Sequence, residues 1–396
     1  MMMLAVVFAN ADAKRVSDDC QVEIIAPGQS KFHPNSVIAC VWDYDPEWTV
    51  TWSQDGKDMG PMTMVQDCSP ACIKKIGEFY AKRGKDIHYF AATPDQYAKV
   101  VTVNVRSRSG KEWKFDVKLS DHVDVQAHRG GAGLWPENTF TSMTKATEMG
   151  VNTLELDLQI SQDGKVVVSH DAYFNSRYAT RPDGSEVKSG DPKEYLYTMP
   201  YSTIAKYDVG KRPSPEWPGK EQSPAIKPLA SELIDSVENY VKANGLDPMR
   251  YNIEIKCRKG KDEGKNWPEY HEFVDKCMEL LLSKDLGDRL VIQCFDVRAL
   301  NYMHEKYPQV KLSYLIRKMD TDWDTYMGRL NFTPDWLSPE FVIVDQTMVD
   351  NCRKAGIRLV PWTVDNEADI RRILDLHVEA IITNYPDRVL KITRGY

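Results

Sequence analysis

Five side chains close together in the chain are of the types that act on a phosphate: His128 and Arg129, then Glu155 and Asp157, then His170. Two carboxylates one residue apart on an extended segment share a face and repel each other unless a cation lies between them. Oxygen ligands alone suit a hard ion, so Glu155 and Asp157 point to one divalent cation, Mg²⁺ or Ca²⁺. Imidazoles titrate near neutrality, which lets one histidine accept a proton while the other donates one. Arg129 adds planar donors that match a phosphate. Metal, proton transfer and phosphate recognition together describe phosphodiester cleavage, with His128 and His170 as its catalytic pair. An isolated Glu-x-Asp is ordinarily a solvated strand face, and an isolated His-Asp a turn cap. Convergence at one end of one sheet separates this set from those readings.

The elements between these residues are predicted to supply that convergence. Val123 to Ala127 alternates as a strand and stops at His128-Arg129 and a glycine turn, Gly130-Gly131. Asn138 is placed to cap a helix that Gly150 ends, with Phe140, Met143, Ala146 and Met149 at helical spacing. Thr153 to Ile160 reads as a strand, Ser161 to Gly164 as a tight turn, and Lys165 to His170 as an antiparallel return that brings His170 level with Glu155. A dinucleotide-binding turn is the main rival, because Gly131-Ala-Gly133 follows a strand and precedes a helix. It fails on detail. Pro136 stands where the third glycine belongs, a His-Arg pair precedes the glycines, and two acids rather than one end the next strand.

From Asp121 onward strands and helices alternate, which predicts an α/β fold with a parallel sheet. Eight strand patterns fall at 123–128, 153–158, 251–256, 290–295, 311–316, 335–339, 357–362 and 379–383. Helical patterns at 229–243, 268–283, 297–306, 346–355 and 366–376 separate them. This is the count of a TIM barrel, whose active sites lie at the C-terminal strand ends. The 158–170 hairpin is then an excursion above the barrel mouth, followed by a long insertion over residues 171–228. Tyr251 to Lys256 repeats the theme by setting Glu254 and Lys256 two apart near a strand's end.

Residues 20–119 differ in texture. Short β-rich runs at 37–42, 48–52, 87–90, 100–105 and 113–119, parted by turn signals such as Asp55-Gly56 and Ser109-Gly110, predict a small β-sandwich. The only helical stretch there spans about 72–83. His33 and His88 read as ordinary strand or loop histidines. Met1 to Ala9 is apolar and Ala11-Asp-Ala13 fits a small-x-small cleavage site, so residues 1–19 read as a signal-peptide remnant or disordered N-terminus of an exported protein, periplasmic or secreted. Pairing among Cys20, Cys40, Cys68 and Cys72 is open in that compartment. Cys257 and Cys294 read as buried free thiols. A formal charge of −7 argues against binding nucleic acid through its phosphates, and no apolar run reaches the length of a membrane-spanning helix. The sequence does not state the oligomeric state.

The run AHRGGAGLWPENT, then LELDLQIS, then DGKVVVSHD, resembles the glycerophosphodiester phosphodiesterase family, whose marks are HRG, PENT, E-x-D and HD in this order. The resemblance covers residues 121–396 and sets the barrel domain at 120–396. It implies Glu254 as a third metal carboxylate beside Glu155 and Asp157, Lys256 and Arg129 as phosphate contacts, and Phe295 and Trp362 as pocket walls. It implies Glu137 as a support that orients Arg129 or His128, and Asn384 stands where the family commonly has Asp. The expected reaction is metal-dependent hydrolysis of a small-molecule glycerophosphodiester to glycerol 3-phosphate and an alcohol, the roles of the two histidines being open. Alternatives are a phospholipase C- or D-like enzyme acting on lipid or lysolipid diesters, and a non-catalytic binding protein. Tyr173, Phe174, Tyr178, Tyr207 and Trp217 of the insertion could wall a headgroup site or pack on one another. Within 20–119, VWDYDPEWTV and VTVNVRSRSGKEW resemble the accessory domain C-terminal to calcineurin-like phosphoesterases, without that family's catalytic motifs.

Overall fold

Alternation of apolar and polar residues builds the first unit of the chain, residues 1–122 with 241–248. The structure, a computed structural model, describes residues 22–42, 44–65, 87–95, 98–119, 122–260 and 262–394, and residues 3–7 by their backbone. In Val100–Arg106, residues Val101, Val103 and Val105 are buried and their neighbours are not. Among the described residues nine strands form two sheets: β1 (Met3–Val7), β2 (Val22–Ile25), β3 (Val37–Trp42), β4 (Thr49–Gln54), β5 (Lys57–Pro61), β6 (Thr63–Val65), β7 (Ile87–Ala92), β8 (Val100–Arg106) and β9 (Glu112–Lys118). One sheet runs β1-β9-β8-β4-β5 and the other β2-β3-β7-β6. Val37, Ala39 and Val41 of the second meet Val101, Val103 and Val105 of the first in one core.

The apolar N-terminus thus contributes a strand, β1, which lies parallel to β9 with Met3 beside Trp113. His33 is structural: its Nδ1 pairs with Asp247 Oδ1 at 2.9 Å, and Asp247 also accepts from Ser36 Oγ at 2.7 Å. The His88 ring sits 5.1 Å from Tyr44. Cys20, Cys68, Cys72 and the helical stretch 72–83 lie outside the described residues. Cys257 and Cys294 are buried free thiols.

The second unit, residues 123–240 and 249–396, is a parallel barrel. Its strands are β10 (Asp124–Ala127), β11 (Thr153–Ile160), β13 (Arg250–Ile255), β14 (Leu290–Cys294), β15 (Lys311–Ile316), β16 (Trp336–Pro339), β17 (Arg358–Leu359) and β18 (Ala380–Thr383), with β12 (Val166–Val168) paired to β11 as a hairpin. The order β17-β16-β15-β14-β13-β11-β10-β18 leaves only its two ends to be joined. Two backbone bonds join them: Ile382 N donates to Pro361 O and Val364 N to Ile382 O, both at 3.0 Å. β17 is shorter than its sequence pattern because Pro361 has no N–H to give a ladder. Among the described residues no helix is long and apolar enough to cross a membrane.

Two local readings are corrected. Thr139, not Asn138, caps helix Phe140–Met149, through a reciprocal box with Ser142. Asn138 takes a left-handed backbone (φ 58°) instead and turns its amide to Asp157, donating to Oδ2 at 2.9 Å. The hairpin register pairs Leu158 with Val168, so His170 stands across from Leu156, one residue off the level of Glu155. The insertion packs on itself. Phe174 and Tyr207 stack at 3.7 Å within a small core of Val167, Ala179, Leu196 and Ile204, because these side chains find more apolar area in one another than over a wet cavity.

Candidate active site

The barrel interior is unusually polar along one line, and that line ends at the acids. Asn252 donates to Gln126 Oε1 at 2.8 Å and to Gln293 Oε1 at 3.3 Å. Gln293 then donates to Glu155 Oε1 at 2.7 Å. Alternation on β11 turns both Glu155 and Asp157 into the barrel, and the register sets Glu254 of β13 directly beside Asp157. One carboxylate oxygen from each of the three lies within 4.8 Å of the others, all three residues being buried.

The turn after β10 delivers the first cation. Arg129, Gly130 and Gly131 all have positive φ, at 52°, 78° and 92°, and a Cβ on Gly130 would lie 2.6 Å from Ser142 Oγ. Only glycine fits there. The bend aims the Arg129 backbone N–H at Glu155 Oε2, 2.8 Å away. Its guanidinium reaches Glu137 at 2.9 Å and Asp157 at 3.4 Å. Glu137 therefore backs Arg129, and Lys220 of the insertion stands 4.0 Å behind it. Lys256 closes the other side, 2.9 Å from Glu254 and 3.4 Å from Asp157.

These charges divide the acids. Burial opposes the ionised form of Asp157, but Lys256 and Arg129 outweigh it and hold that carboxyl well below the usual range. Burial, with Asp157 beside it, pushes Glu155 well up. Burial also raises Glu254, although Lys256 works against it. Among the described residues Asp157 Oδ1 has no hydrogen-bond partner, Lys256 Nζ standing 3.4 Å from it, and two neighbouring carboxyls favour holding protons. This donor set, all oxygen, buried and short of positive charge, fits a hard divalent cation.

The two imidazoles are held differently. Asn384 gives its amide N–H to Asp365 Oδ2 at 2.7 Å and its backbone N–H to Oδ1 at 2.8 Å. Its side-chain oxygen must then face His128 Nδ1, 2.6 Å away. An amide oxygen only accepts, so Nδ1 carries the proton and Nε2 keeps its lone pair. Burial first, then the charge of Arg129, lowers His128 to about 3, so this ring is neutral. His170 Nδ1 instead faces a carboxylate, Asp171, at 3.0 Å. Asp171 is held below its ordinary range, His170 and Asn175 outweighing the cost of burial. Behind it the buried Lys227 donates to Ser169 Oγ at 2.6 Å.

His128, Arg129, Glu155, His170, Glu254 and Lys256 line one cavity of about 100 Å³, with Phe295 and Trp362 on its wall. Asp157 lies beneath it and Glu137 behind Arg129. Sequence reasoning missed Asn138, Gln293 as a contact of Glu155, Arg317 on the cavity wall, and Asp365 behind Asn384. Arg317 follows a barrel strand by one residue, which is the signal that could have flagged it.

An eight-stranded parallel barrel with acids, cations and imidazoles gathered at the C-terminal strand ends defines a TIM-barrel enzyme. Residues 128–388, more than half of the chain, match the sequence model of the Glycerophosphoryl diester phosphodiesterase family. A glycerophosphodiester phosphodiesterase of Bacillus subtilis is 28% identical over 284 residues, 70% of this chain and 88% of the relative. A human lysophospholipase D is 27% identical over 285 residues, 68% and 85% of the two chains. A phosphodiesterase from Oleispira antarctica, solved with the product sn-glycerol-3-phosphate, superposes with a TM-score of 0.54 at 25% identity, covering 69% of this chain and 97% of that one. The barrel of a phosphodiesterase from Silicibacter pomeroyi shares the fold at a TM-score of 0.61 and 24% identity, over 69% and 93%. The chain belongs to the glycerophosphoryl diester phosphodiesterase family, whose members are phosphoric diester hydrolases.

Proposed function

We propose that the protein hydrolyses glycerophosphodiesters to glycerol 3-phosphate and an alcohol, using one divalent cation, Mg²⁺ or Ca²⁺, and two histidines. The observation that carries this is the meeting of Glu155, Asp157 and Glu254 within 4.8 Å on a cavity that both imidazoles line. A cation held by those three carboxylates would supply Lewis acidity toward a phosphate oxygen. Arg129 and Lys256 stabilise charge that grows on the phosphoryl oxygens. His128 Nε2, neutral and unprotonated, takes the proton of the attacking hydroxyl. His170, whose Nδ1 faces Asp171 at 3.0 Å, gives a proton to the departing alcohol. If the attacker is the glycerol 2-hydroxyl, a cyclic phosphate forms first and water then opens it. Full-rate turnover of a 2-deoxy substrate excludes that route.

The test is release of glycerol 3-phosphate from glycerophosphocholine and glycerophosphoglycerol by dialysed protein, with and without added Mg²⁺ or Ca²⁺. Release that depends on the ion, and that falls by at least about 10²-fold in His128→Ala and in His170→Ala, supports the reading. Ion-independent release, or none, ends it. A second reading, cleavage of lysophospholipids, draws on the human relative's name and on Val342, which is 62% exposed in the turn after β16. The neighbouring Phe341 donates its backbone N–H to O of the cavity-lining Trp362 at 2.8 Å. Lysophosphatidylcholine as a further substrate separates the two. Export is proposed from the apolar start and the Ala11-Asp-Ala13 site, with residues 20–119 as an accessory domain. N-terminal sequencing of protein recovered outside the cytoplasm should then begin after Ala13, the cleavage removing β1 with the leader and leaving β9 as the edge of its sheet.

A further inference from the structure

Among the described residues three cations line the cavity, and two are already engaged by carboxylates, Arg129 with Glu137 and Asp157, and Lys256 with Glu254 and Asp157. The third is Arg317, the residue after β15, an exposed side chain on the cavity wall. Among the described residues no carboxylate lies within 4 Å of its guanidinium. Glu340, after β16, gives its backbone N–H to Ile316 O at 2.8 Å but forms no ion pair with Arg317. The guanidinium carbon sits 5.8 Å from the ring centroids of both Phe295 and Trp362. Those rings meet edge to face at 5.6 Å, and Trp362 is pinned by its Nε1–H, which donates to Ser338 O at 2.7 Å. Ring faces hold a guanidinium by cation–π attraction without occupying its N–H groups. Its donors stay available to the cavity.

We infer that Arg317 makes the site selective for diesters whose alcohol arm carries a negative charge, and that it disfavours a quaternary ammonium. The inference rests on the proposed function. With the phosphate at Arg129 and Lys256, one ester arm runs along Phe295 and Trp362 toward Arg317. The glycerol arm is uncharged, so the arm on which Arg317 discriminates is the departing alcohol. An anionic alcohol meets an unpaired fork of donors there. A choline meets a like charge, and the ring faces that would attract it are already shared with Arg317.

The test compares three compounds at low salt, where such attraction is least screened: bis(glycerophospho)glycerol with an anionic arm, glycerophosphoglycerol with a neutral one, and glycerophosphocholine with a cationic one. Wild-type kcat/KM should favour the anionic arm over the cationic one by about tenfold or more, beyond the statistical factor of its two ester groups. Arg317→Gln should bring the ratio to within about threefold of one, and Arg317→Lys should keep most of it. A merely structural role would lower all three substrates together and leave the ratio alone. An equal ratio in wild type and Arg317→Gln, or a wild-type preference for choline, overturns the inference. Binding of the same compounds to His128→Ala protein, with and without Arg317→Gln, is read by calorimetry. A charge-dependent affinity that vanishes with Arg317, together with no release of glycerol 3-phosphate by the wild-type protein, would sustain the subsite and refute the proposed hydrolysis. Affinity that ignores charge refutes the subsite.

Discussion

Replacing Asn384 by leucine asks whether an amide really sets the proton on His128. In the wild type Asp365 takes the amide N–H of Asn384, so the amide oxygen has no orientation open to it except toward His128 Nδ1 at 2.6 Å. Leucine keeps much of the volume but removes the acceptor. The Nδ1–H would then be buried and unpaired, a state that costs about 1–3 kcal/mol. The ring escapes that cost by moving its proton to Nε2, the nitrogen that must be free to act as base. The penalty appears as a loss of roughly 5- to 150-fold in kcat/KM, with KM for substrate little changed. Long-range ¹⁵N NMR of the two imidazole nitrogens reads the tautomer directly. Wild-type protein should show a protonated Nδ1, and Asn384→Leu a protonated Nε2. Neither spectrum should titrate His128 between pH 5 and 8, because burial and Arg129 lower it from 6.5 to about 3. That depression has a definite sign in stability: the contribution is whole above pH 6.5, where the unfolded ring is also neutral, and is lost as pH falls toward 3. A wild-type ring protonated on Nε2, or an Asn384→Leu enzyme within twofold of wild type, refutes the reasoning.

Gly130→Ala should cost roughly 2–5 kcal/mol in chemical denaturation, combining a left-handed backbone with a clash that brings Cβ to 2.9 Å from the Ser142 carbonyl carbon; a loss under 0.5 kcal/mol would contradict the packing. Arg129→Lys should lower kcat/KM by about tenfold or more, since an ammonium cannot span Glu137 and Asp157 as the planar fork does, and normal rates in that variant would remove the guanidinium from the scheme. Binding of Mg²⁺ or Ca²⁺ just above the ordinary carboxylate range should release protons from Glu155 and Glu254, both raised by burial, as seen by calorimetry in buffers of different ionisation enthalpy. For the same reason the ion-free protein should lose stability as pH rises above the ordinary carboxylate range, and saturating cation should abolish that fall. Binding without proton release, or an ion-free stability that rises across that interval, counts against the assigned ligands.

Much of the architecture was legible in the chain because it is local. Residue alternation and helical spacing depend on neighbours, and they mark all eight barrel strands and the helices at 297–306 and 346–355. The order HRG, PENT, E-x-D and HD pointed to His128, Arg129, Glu155, Asp157 and His170 in the same way, and E-x-K to Glu254 and Lys256. The cap at Thr139 was misread because Asn and Thr are both good caps, and what decided between them was a distant partner, Asp157.

What the tertiary structure alone decided is everything that depends on register and closure. Asp157 meets Glu254 because β11 and β13 pair with those two residues level, and a one-residue slip would turn one of them out of the barrel. The proton on His128 is set by Asn384, 256 residues away, which adjoins β10 only because β18 closes the ring. Gln293 reaches Glu155 across 138 residues because β14 is separated from β11 by β13 alone. Sequence carries the types of the side chains and the period of their faces, whereas the distances between them come from hydrogen-bonded strands that are neighbours in space and strangers along the chain.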